Sequence, residues 1–410
     1  MANVVPEMFE LVDGQCKRAV IRVIGVGGGG CNTVNQMAAA NIQGVEFISA
    51  NTDRDHLEKC LPTLQLQLGA EVTRGLGAGS NPKLGREAAE EDRDRIREML
   101  EGTDLLFITA GMGGGTGTGA APVIAEIARE LEILTVAVVT KPFPHEGKKR
   151  LAVAQDGIRE LQQHVDSLIL IPNEKLRLVL GGNVTLLNGF KAANDVLQNA
   201  VQGISDLITR PGMMNVDFAD VKTVMANRGM AMMGLGSASG EDRAKKAVEA
   251  ALSSPLLDDL ELIGARGILV NITCDESLTL DELELVNERI NEIASAEVDM
   301  KCGTSFDPAL NGELRVTVVA TGLEGTRAAQ IAAKAKEAAE QQHPRMKSPG
   351  VVTPLRTPSA WPARGHDVEI PAHQPQRHAH ARPATSASLM ALDYNEELLD
   401  IPAFLRAQAD

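Results

Sequence analysis

The chain has 410 residues, of which 44% are hydrophobic and 23% charged, so it is long enough for two folded domains and a tail. Its net charge of −15 argues against nucleic-acid binding over a broad surface, which requires a basic protein. Aromatic residues make up only 2% of the chain, which disfavours the stacking platforms that bind single strands.

The number of cysteines and the length of the apolar runs indicate the cellular compartment of the protein. Five cysteines, an odd number without metal-ligand spacing, predict reduced thiols in a cytosol, and we assign no metal ligand from the sequence. The first residues, MANVVPEMFELVDGQ, lack the pattern of a signal peptide. No apolar run approaches the length of a membrane span, so we expect membrane contact only through a partner, without direct insertion.

Strand patterns alternate with helix patterns through the first 170 residues, which predicts a Rossmann-like parallel sheet with helices on both faces. The predicted strands are RAVIRVIGVG, GVEFISANTD, DLLFITA, ILTVAVVTKPF and SLILIPN. The predicted helices are CNTVNQMAAAN, KLGREAAEEDRDRIREML, PVIAEIARELE and LAVAQDGIRELQQHV.

A long apolar periodicity then predicts a central helix, followed by a strand, a helix and a strand in ARGILVNITC, DELELVNERINEI and ELRVTVVATG. The fold class is therefore α/β, with a parallel-sheet domain joined by the helix to a smaller α+β domain. The predicted segments are a flexible start at 1–18, a nucleotide-binding domain at 19–189, the central helix at 190–210, an α+β domain at 211–324, a disordered linker at 325–390 and a partner-binding peptide at 391–410.

The linker prediction rests on composition, because residues 325–390 contain eight prolines and no apolar periodicity. An apolar cluster returns in the last twenty residues, ALDYNEELLDIPAFLRAQAD. Such an island indicates a peptide that becomes ordered on a partner. A terminal helix that packs on its own domain is the alternative.

Two glycine-rich stretches, GVGGGG from Gly25 and GMGGGTGTGAAP from Gly111, each follow a strand and precede a helix. Backbone N–H groups at a helix N-terminus bind phosphate, and loops at the carboxyl ends of parallel strands line one crevice. Tight packing between strand and helix needs only one or two glycines, so we predict a phosphate cradle, with hydroxyl donors at Thr116 and Thr118.

The absence of one common motif restricts the class of phosphate ligand that we expect. No G-x-x-x-x-G-K-[ST] motif is present, so this is not a P-loop. A dinucleotide oxidoreductase would explain the first glycine stretch alone. A triphosphate explains both stretches, with backbone amides and a metal ion compensating its charge.

The stretch GGGTGTG resembles the signature of the tubulin/FtsZ family of GTPases. TKPFPHEGKKR, NPKLGREAAEEDRD, RPGMMNVDFADV and SGEDRA are similar to the bacterial cell-division branch of that family. The resemblance extends from about Val20 to Thr321 and returns at the C-terminus. It implies GTP or GDP with Mg²⁺, head-to-tail filaments, and a cytoplasmic ring at mid-cell that recruits division proteins.

The resemblance also implies the GTP-binding residues. Cys31 stands where the family usually has glycine or alanine. Several relatives have Asp then Asn where this chain has Asn194 and Asp195, so either of these two residues is a candidate to recognise guanine. An ordinary surface pair is the alternative for Glu146 and Arg150. The implied set is Gly28, Gly29, Gly30, Cys31, Asn32, Gly113, Gly114, Gly115, Thr116, Gly117, Thr118, Glu146, Arg150, Phe190 (on the base), Asn194 and Asp195.

Catalytic carboxylates are expected in NVDFAD, at Asp217 and Asp220 with Asn215 beside them, although helix capping would also explain Asn215 or Asp217. About 20 Å of helix separates Asp195 from Thr209, so these groups lie far from the nucleotide of their own chain. In the family, this loop completes the GTPase site of the neighbouring subunit. A filament protein that binds nucleotide without hydrolysing it is a further alternative, which NVDFAD disfavours.

The C-terminal peptide resembles the segment by which the family docks on membrane-tethering adaptors and regulatory division proteins. Its apolar side chains would be the anchors. The implied contact residues are Leu399, Asp400, Ile401, Pro402, Phe404 and Leu405.

Overall fold

The computed structural model describes residues 19–62, 64–180, 185–210, 212–227, 229–257, 264–294 and 298–323. The predictions for residues 1–18, 325–390 and 391–410 therefore lie outside the described residues. The strands are β1 Ile21–Val26, β2 Val45–Asn51, β3 Leu64–Gln67, β4 Leu105–Gly111, β5 Leu134–Lys141, β6 Ser167–Pro172, β7 Gly229–Ser239, β8 Gly267–Cys274, β9 Asp299–Phe306 and β10 Glu313–Thr321.

The helices alternate with the strands, as predicted. Short 3-10 turns occupy Pro144–Glu146 and Pro308–Leu310. The α-helices of the described ranges are α1 Gly27–Ala39, α2 Arg54–Leu57, α3 Ala70–Thr73, α4 Pro82–Glu91, α5 Arg93–Leu100, α6 Thr116–Glu130, α7 Lys148–Gln162, α8 Asn173–Leu180, α9 Leu186–Thr209, α10 Phe218–Met225, α11 Arg243–Leu252 and α12 Leu280–Ile293.

The strands form one mixed sheet in the order β3-β2-β1-β4-β5-β6-β7-β10-β8-β9. All neighbours from β3 to β7 are parallel, whereas β10 is antiparallel to both β7 and β8. The predicted α/β class is confirmed. The two halves share this sheet, because Ser167 to Ile169 of β6 pair with Gly229 to Ala231 of β7, so the central helix is not their only connection.

Three apolar clusters cover the sheet, and each belongs to one layer. One cluster joins α4 to α7 with the parallel strands, and a second packs α1, α9 and α10 on the opposite face. The third holds α11 and α12 against β8 and β10. The parallel strands are buried almost continuously, as expected when helices cover both faces of a sheet.

The central helix begins at Leu186, four residues before the predicted start, and ends at Thr209. Its earlier start has a local cause, since Thr185 caps the helix by accepting the backbone N–H of Asn188 at 3.2 Å. The helix therefore ends six residues before the NVDFAD segment, which begins at Asn215.

The single helix predicted for residues 83–100 is wrong, because α4 and α5 are separated at Asp92. The buried Asp92 carboxylate accepts the backbone N–H of Gly69 at 2.7 Å and a bond from Arg95 at 2.7 Å. The Gly69 bond, which comes from outside these helices, holds Asp92 out of helical geometry, at φ −103° and ψ 21°.

Several elements were not predicted from the sequence, namely β3, β7, β9, α2, α3, α8 and α11. Both β3 and α8 are short, and β7 carries glycines that mask its strand pattern. None of the helices within the described residues has the length and hydropathy that a membrane span requires.

Candidate nucleotide-binding and catalytic site

The first glycine stretch forms the first turn of α1, so the helix begins before the predicted Cys31, and the GTP-binding roles of Gly28, Gly29, Gly30, Cys31 and Asn32 stay predictions. Strand β1 ends at Val26 and the helix begins at Gly27, which has a φ of +71°. No side chain caps this helix. Its first amides therefore point along the helix axis at the carboxyl end of the strand. Amides in this position are the usual anion-binding groups of a helix N-terminus.

The second stretch joins β4 to α6 and uses two of its amides internally. The Gly113 N–H donates to Thr118 Oγ1 at 2.8 Å, and the Gly115 N–H donates to Gly79 O at 2.9 Å. Both amides are thus bonded within the protein, and the GTP-binding roles of Gly113 and Gly115 stay predictions. The first intrahelical bond runs from the Gly119 N–H to Gly115 O, so the amides of Thr116 and Gly117 precede it.

The two glycine turns lie in backbone contact, because β1 and β4 are neighbours with Val26 opposite Ala110. A Cβ atom on Gly27 would lie 2.9 Å from the Gly117 nitrogen. Gly28 and Gly114 face open space, with nothing within 4 Å of a Cβ atom. The two helix N-termini thus share one crevice whose walls are backbone, which fits a ligand with several phosphates.

The two predicted hydroxyl donors are held by the protein. Thr116 Oγ1 lies 2.6 Å from Thr52 Oγ1 at the end of β2, and Thr118 Oγ1 accepts from Gly113. These bonds fix the turn between β4 and α6. Thr52 was not identified from the sequence, although it follows a predicted strand at the same edge of the sheet.

Glu146 and Arg150 form an ion pair, which their spacing in the sequence offers as the alternative to GTP binding, with 3.2 Å between Arg150 Nε and Glu146 Oε2. Glu146 is not part of an exposed helix surface, because its side chain is only 7% exposed and accepts the Phe143 N–H at 2.7 Å. A Cβ atom on Gly113 would lie 2.8 Å from Arg150 Cγ. The pair therefore supports the turn at 143–147 directly beside the second glycine stretch.

The residues expected at the base lie on the first half of α9. Phe190 packs edge-on against Phe143, with ring centroids 5.6 Å apart. Thr33 Oγ1 donates to Asn194 Oδ1 at 3.1 Å, and Gln36 donates through Nε2 to Asp195. Both partners belong to α1, so the base-reading candidates lie behind the first glycine turn.

The NVDFAD residues lie at the other end of α9. Asn215 accepts the Gly212 N–H at 2.9 Å, and Asp220 Oδ1 lies 3.2 Å from Lys301 Nζ. Asp217 occupies the N-cap position of α10, yet its exposed carboxylate makes no capping bond. Capping therefore does not account for the Asp217 side chain.

Comparison with known proteins agrees with this geometry. Residues 20–181 match the Tubulin/FtsZ family, GTPase domain, and residues 229–324 match the FtsZ family, C-terminal domain. The cell division protein FtsZ of Azotobacter vinelandii is 56% identical across 98% of this chain and all of its own length. That of Coxiella burnetii is 53% identical across 97% of this chain and 99% of its own length.

The chain belongs to the FtsZ family. A solved structure described as an empty FtsZ dimer from M. jannaschii has a TM-score of 0.73 and 45% identity, covering 76% of this chain and 90% of the other. A GTPγS-bound protofilament of CetZ2 from Haloferax volcanii, at 20% identity, covers 78% of this chain and 99% of its own with a TM-score of 0.63, and supports the fold alone. Membership in an FtsZ GTPase family favours GTP over the dinucleotide alternative.

One side-chain cluster beside this FtsZ site was missed in the sequence. Cys31 is fully buried and points away from the crevice, toward Cys60 and His56. A hydrogen bond from the Cys31 thiol lowers the pKa of Cys60 to about 6 and raises that of Cys31. The four-residue spacing of His56 and Cys60 was the available signal, but Cys31 joins them only through the fold.

Proposed function

We propose that this member of the FtsZ family hydrolyses GTP at a site shared by two subunits of a head-to-tail filament. The proposal rests on the distance along α9 between the proposed phosphate-binding residues and the NVDFAD carboxylates. The phosphate crevice and Asp195 lie at one end of this helix, and Asp217 lies beyond the other end. Fourteen residues from Asp195 to Thr209 correspond to about 21 Å of helix.

The triphosphate would bind across the first turns of α1 and α6, with its outer phosphates at Gly114, Thr116 and Gly117. These backbone donors are fixed before the ligand arrives, so they stabilise charge without reorganisation. The guanine base would lie toward Phe190, Asn194 and Asp195. Bound Mg²⁺, held through phosphate oxygens, would neutralise charge on the transferring phosphoryl group.

The carboxylates of NVDFAD would act on the nucleotide of the next subunit. Asp217 is exposed and uncapped, so it can accept a bond from the attacking water and hold it in line with the γ-phosphate. Asp220, held by Lys301, would support that placement, and Asn215 would help to orient the water. Met213 beside the loop is 77% exposed, which fits a surface that a second subunit covers.

An interface between two different surfaces of the same chain propagates as an open filament when its rotation does not close into a ring, and the proposal takes this open case. GTP hydrolysis would then depend on polymerisation. In the cell, such filaments would form the division ring at mid-cell in the cytoplasm.

The test mixes two variants that are each inactive alone. Asp217→Ala keeps the crevice and loses the carboxylate, whereas Gly114→Asp places a negative charge in the phosphate crevice at a position with room for a side chain. Hybrid interfaces in the mixture contain one intact crevice facing one intact Asp217, so phosphate release should return to part of the wild-type rate. Asp156→Ala, at an exposed pair with Arg159, is the matched control and should keep full activity.

Sedimentation measured in parallel shows whether the variants co-assemble. Co-assembly without restored phosphate release would contradict the shared site. Full wild-type turnover below the concentration at which filaments sediment would also contradict it.

The C-terminal peptide, outside the described residues, would dock on membrane-tethering adaptors and regulatory division proteins. Deleting residues 391–410 should leave GTP turnover intact and abolish capture of an adaptor in a pull-down. Capture by the truncated chain would refute this assignment.

A further inference from the structure

Cys31, His56 and Cys60 form a compact group, here called the thiol–imidazole cluster. Their sulfur and ring-nitrogen atoms all lie within 4.8 Å of one another. The two cysteines are buried and the histidine is half-buried. Such a group of two thiols and one imidazole, closed to solvent on most sides, has the donor types of a zinc site.

The cluster is built by two helices that meet beside the first glycine turn. Cys31 lies on α1, and its sulfur is 3.6 Å from Gly25 O. His56 lies on the short helix α2, and Cys60 follows it in the next turn, where its sulfur is 3.4 Å from His56 O. Residues four apart on a helical turn face the same side, which brings both side chains toward Cys31.

The imidazole is held in place by two amide side chains. Its Nε2 lies 3.0 Å from Asn32 Oδ1, and its Nδ1 lies 3.2 Å from Asn51 Nδ2. Metal-binding histidines keep one ring nitrogen bonded to a polar partner, which fixes the ring and the tautomer. Asn51 Nδ2 can only donate, so Nδ1 carries the free electron pair and can bind a metal ion in place of Asn51, while Nε2–H keeps its bond to Asn32 Oδ1.

We propose that Cys31, His56 and Cys60 bind a Zn²⁺ ion, with a fourth position left for a water molecule. Zinc–sulfur distances of about 2.3 Å place two tetrahedral sulfur ligands roughly 3.8 Å apart. The cluster therefore closes on an ion with side-chain shifts of about 1 Å. Thiolate and imidazole donors select zinc over the Mg²⁺ of the nucleotide, which prefers oxygen.

A disulfide between the two thiols is the competing use of this geometry. It would account for Cys31 and Cys60 but would leave His56, with its two asparagine partners, without a role. The zinc site uses all three side chains, so the structure favours it.

The test uses the full chain with Cys16, Cys274 and Cys302 changed to Ser, so that Cys31 and Cys60 are the remaining thiols. Metal-free reduced protein is titrated with Zn²⁺ against a chromogenic chelator, and with Co²⁺ as a spectroscopic probe. We expect one equivalent of tight binding and thiolate-to-cobalt charge-transfer bands. His56→Ala and Cys60→Ser in this background should each weaken zinc binding at least tenfold, whereas His145→Ala, at an exposed histidine, should not.

Three results would overturn the proposal. The first is zinc binding no tighter than that of the double variant Cys31→Ser/Cys60→Ser. The second is an affinity that His56→Ala leaves unchanged. The third is the absence of zinc affinity in protein that forms a Cys31–Cys60 disulfide when a disulfide oxidant is added. That result would identify the two thiols as a redox pair. No GTP is present, so the result does not depend on the proposed GTPase site.

Discussion

Gly27 and Gly117 lie in backbone contact, since a Cβ atom on Gly27 would come within 2.9 Å of the Gly117 nitrogen. One residue begins α1 and the other lies in the first turn of α6. The spacing of the two helix N-termini is therefore set by the absence of side chains. Any side chain at this contact must separate the amides of the two helix N-termini, which are the proposed phosphate donors.

Changing Gly27 to Ala should abolish tight GTP binding, because the two turns must move apart. The φ of +71° adds left-handed strain of about 1 kcal/mol. Gly102→Ala is the matched control, since Gly102 has a φ of +73° but open space around a Cβ atom. Calorimetric titration with GTP should show at least a tenfold loss for Gly27→Ala and none for Gly102→Ala. Equal losses would mean that strain, rather than contact between the turns, is the cause.

Arg243 fixes the C-terminal half of the sheet, and replacing it should destabilise the fold. Its guanidinium binds both carboxylate oxygens of Glu282, at 2.7 and 2.9 Å, and donates to Ser277 and to Gly312 O. The pair is partly buried, and losing hydrogen bonds to a charged partner costs about 1.5–3 kcal/mol. Arg243→Met should therefore lower the free energy of unfolding in urea by about this amount.

The matched control for that variant is Arg289→Met, which removes an exposed pair with Glu292 and should cost less than about 1 kcal/mol. The Arg243 bonds also lower the pKa of Glu282. The stability that this pair contributes is present above the unfolded-state pKa and is lost as the pH falls through the lowered folded-state value. Arg243→Met should remove that part of the acid dependence. A parallel acid profile in both proteins would contradict it.

Asp206 should make stability fall with rising pH in the mildly acidic range. Burial raises the pKa of this carboxyl to about 6, even though Arg210 Nε lies 2.9 Å away and opposes the shift. A raised folded-state pKa contributes stability below the unfolded-state value near 3.8, and that contribution is lost as the pH rises through about 6. The difference corresponds to about 3 kcal/mol.

Asp206→Asn should remove this dependence, so the variant gains stability relative to the wild type between pH 4 and pH 6. Urea unfolding at both ends of this range measures the change. A wild-type-minus-variant difference that is constant across the range would show that the buried carboxyl remains ionised.

Local patterns were enough to predict the two glycine turns and most of the strands, whereas β3, β7 and β9 were missed. Apolar runs that end in glycine locate β1 and β4, and the parallel order follows from the alternation with helices. The break between α4 and α5 was not predictable, because Asp92 is held by Gly69 across the fold. A contact between residues distant in sequence leaves no periodicity to detect.

The same limit applies to the candidate site. The sequence shows where the glycines are, but it does not show which of their backbone N–H groups remain free to bind a ligand. The Gly113 N–H, for example, donates to Thr118 only once α6 has formed. The thiol–imidazole cluster shows the limit most clearly. Cys31 lies 29 residues before Cys60, and their approach depends on the packing of α1 beside α2.

Asp195, rather than Asn194, should recognise guanine. Asn194 Oδ1 lies 3.1 Å from Thr33 Oγ1, whose single hydroxyl hydrogen can go either to it or to Gly29 O, so the Asn194 side chain is tied to α1 through its oxygen. The Asp195 carboxylate only accepts, and one oxygen remains after its bond with Gln36. The N1–H and 2-amino groups of guanine are donors, so they match Asp195.

The comparison of GTP with inosine triphosphate tests this assignment, because inosine lacks the 2-amino group. A hydrogen bond to a charged group contributes about 1.5–3 kcal/mol, so Asp195→Asn should weaken GTP binding by roughly tenfold or more. It should weaken inosine triphosphate binding less, so the preference for GTP shrinks. Asn194→Ala should keep the preference, whatever its effect on both affinities. If Asn194→Ala removes the preference and Asp195→Asn retains it, the base is read by Asn194.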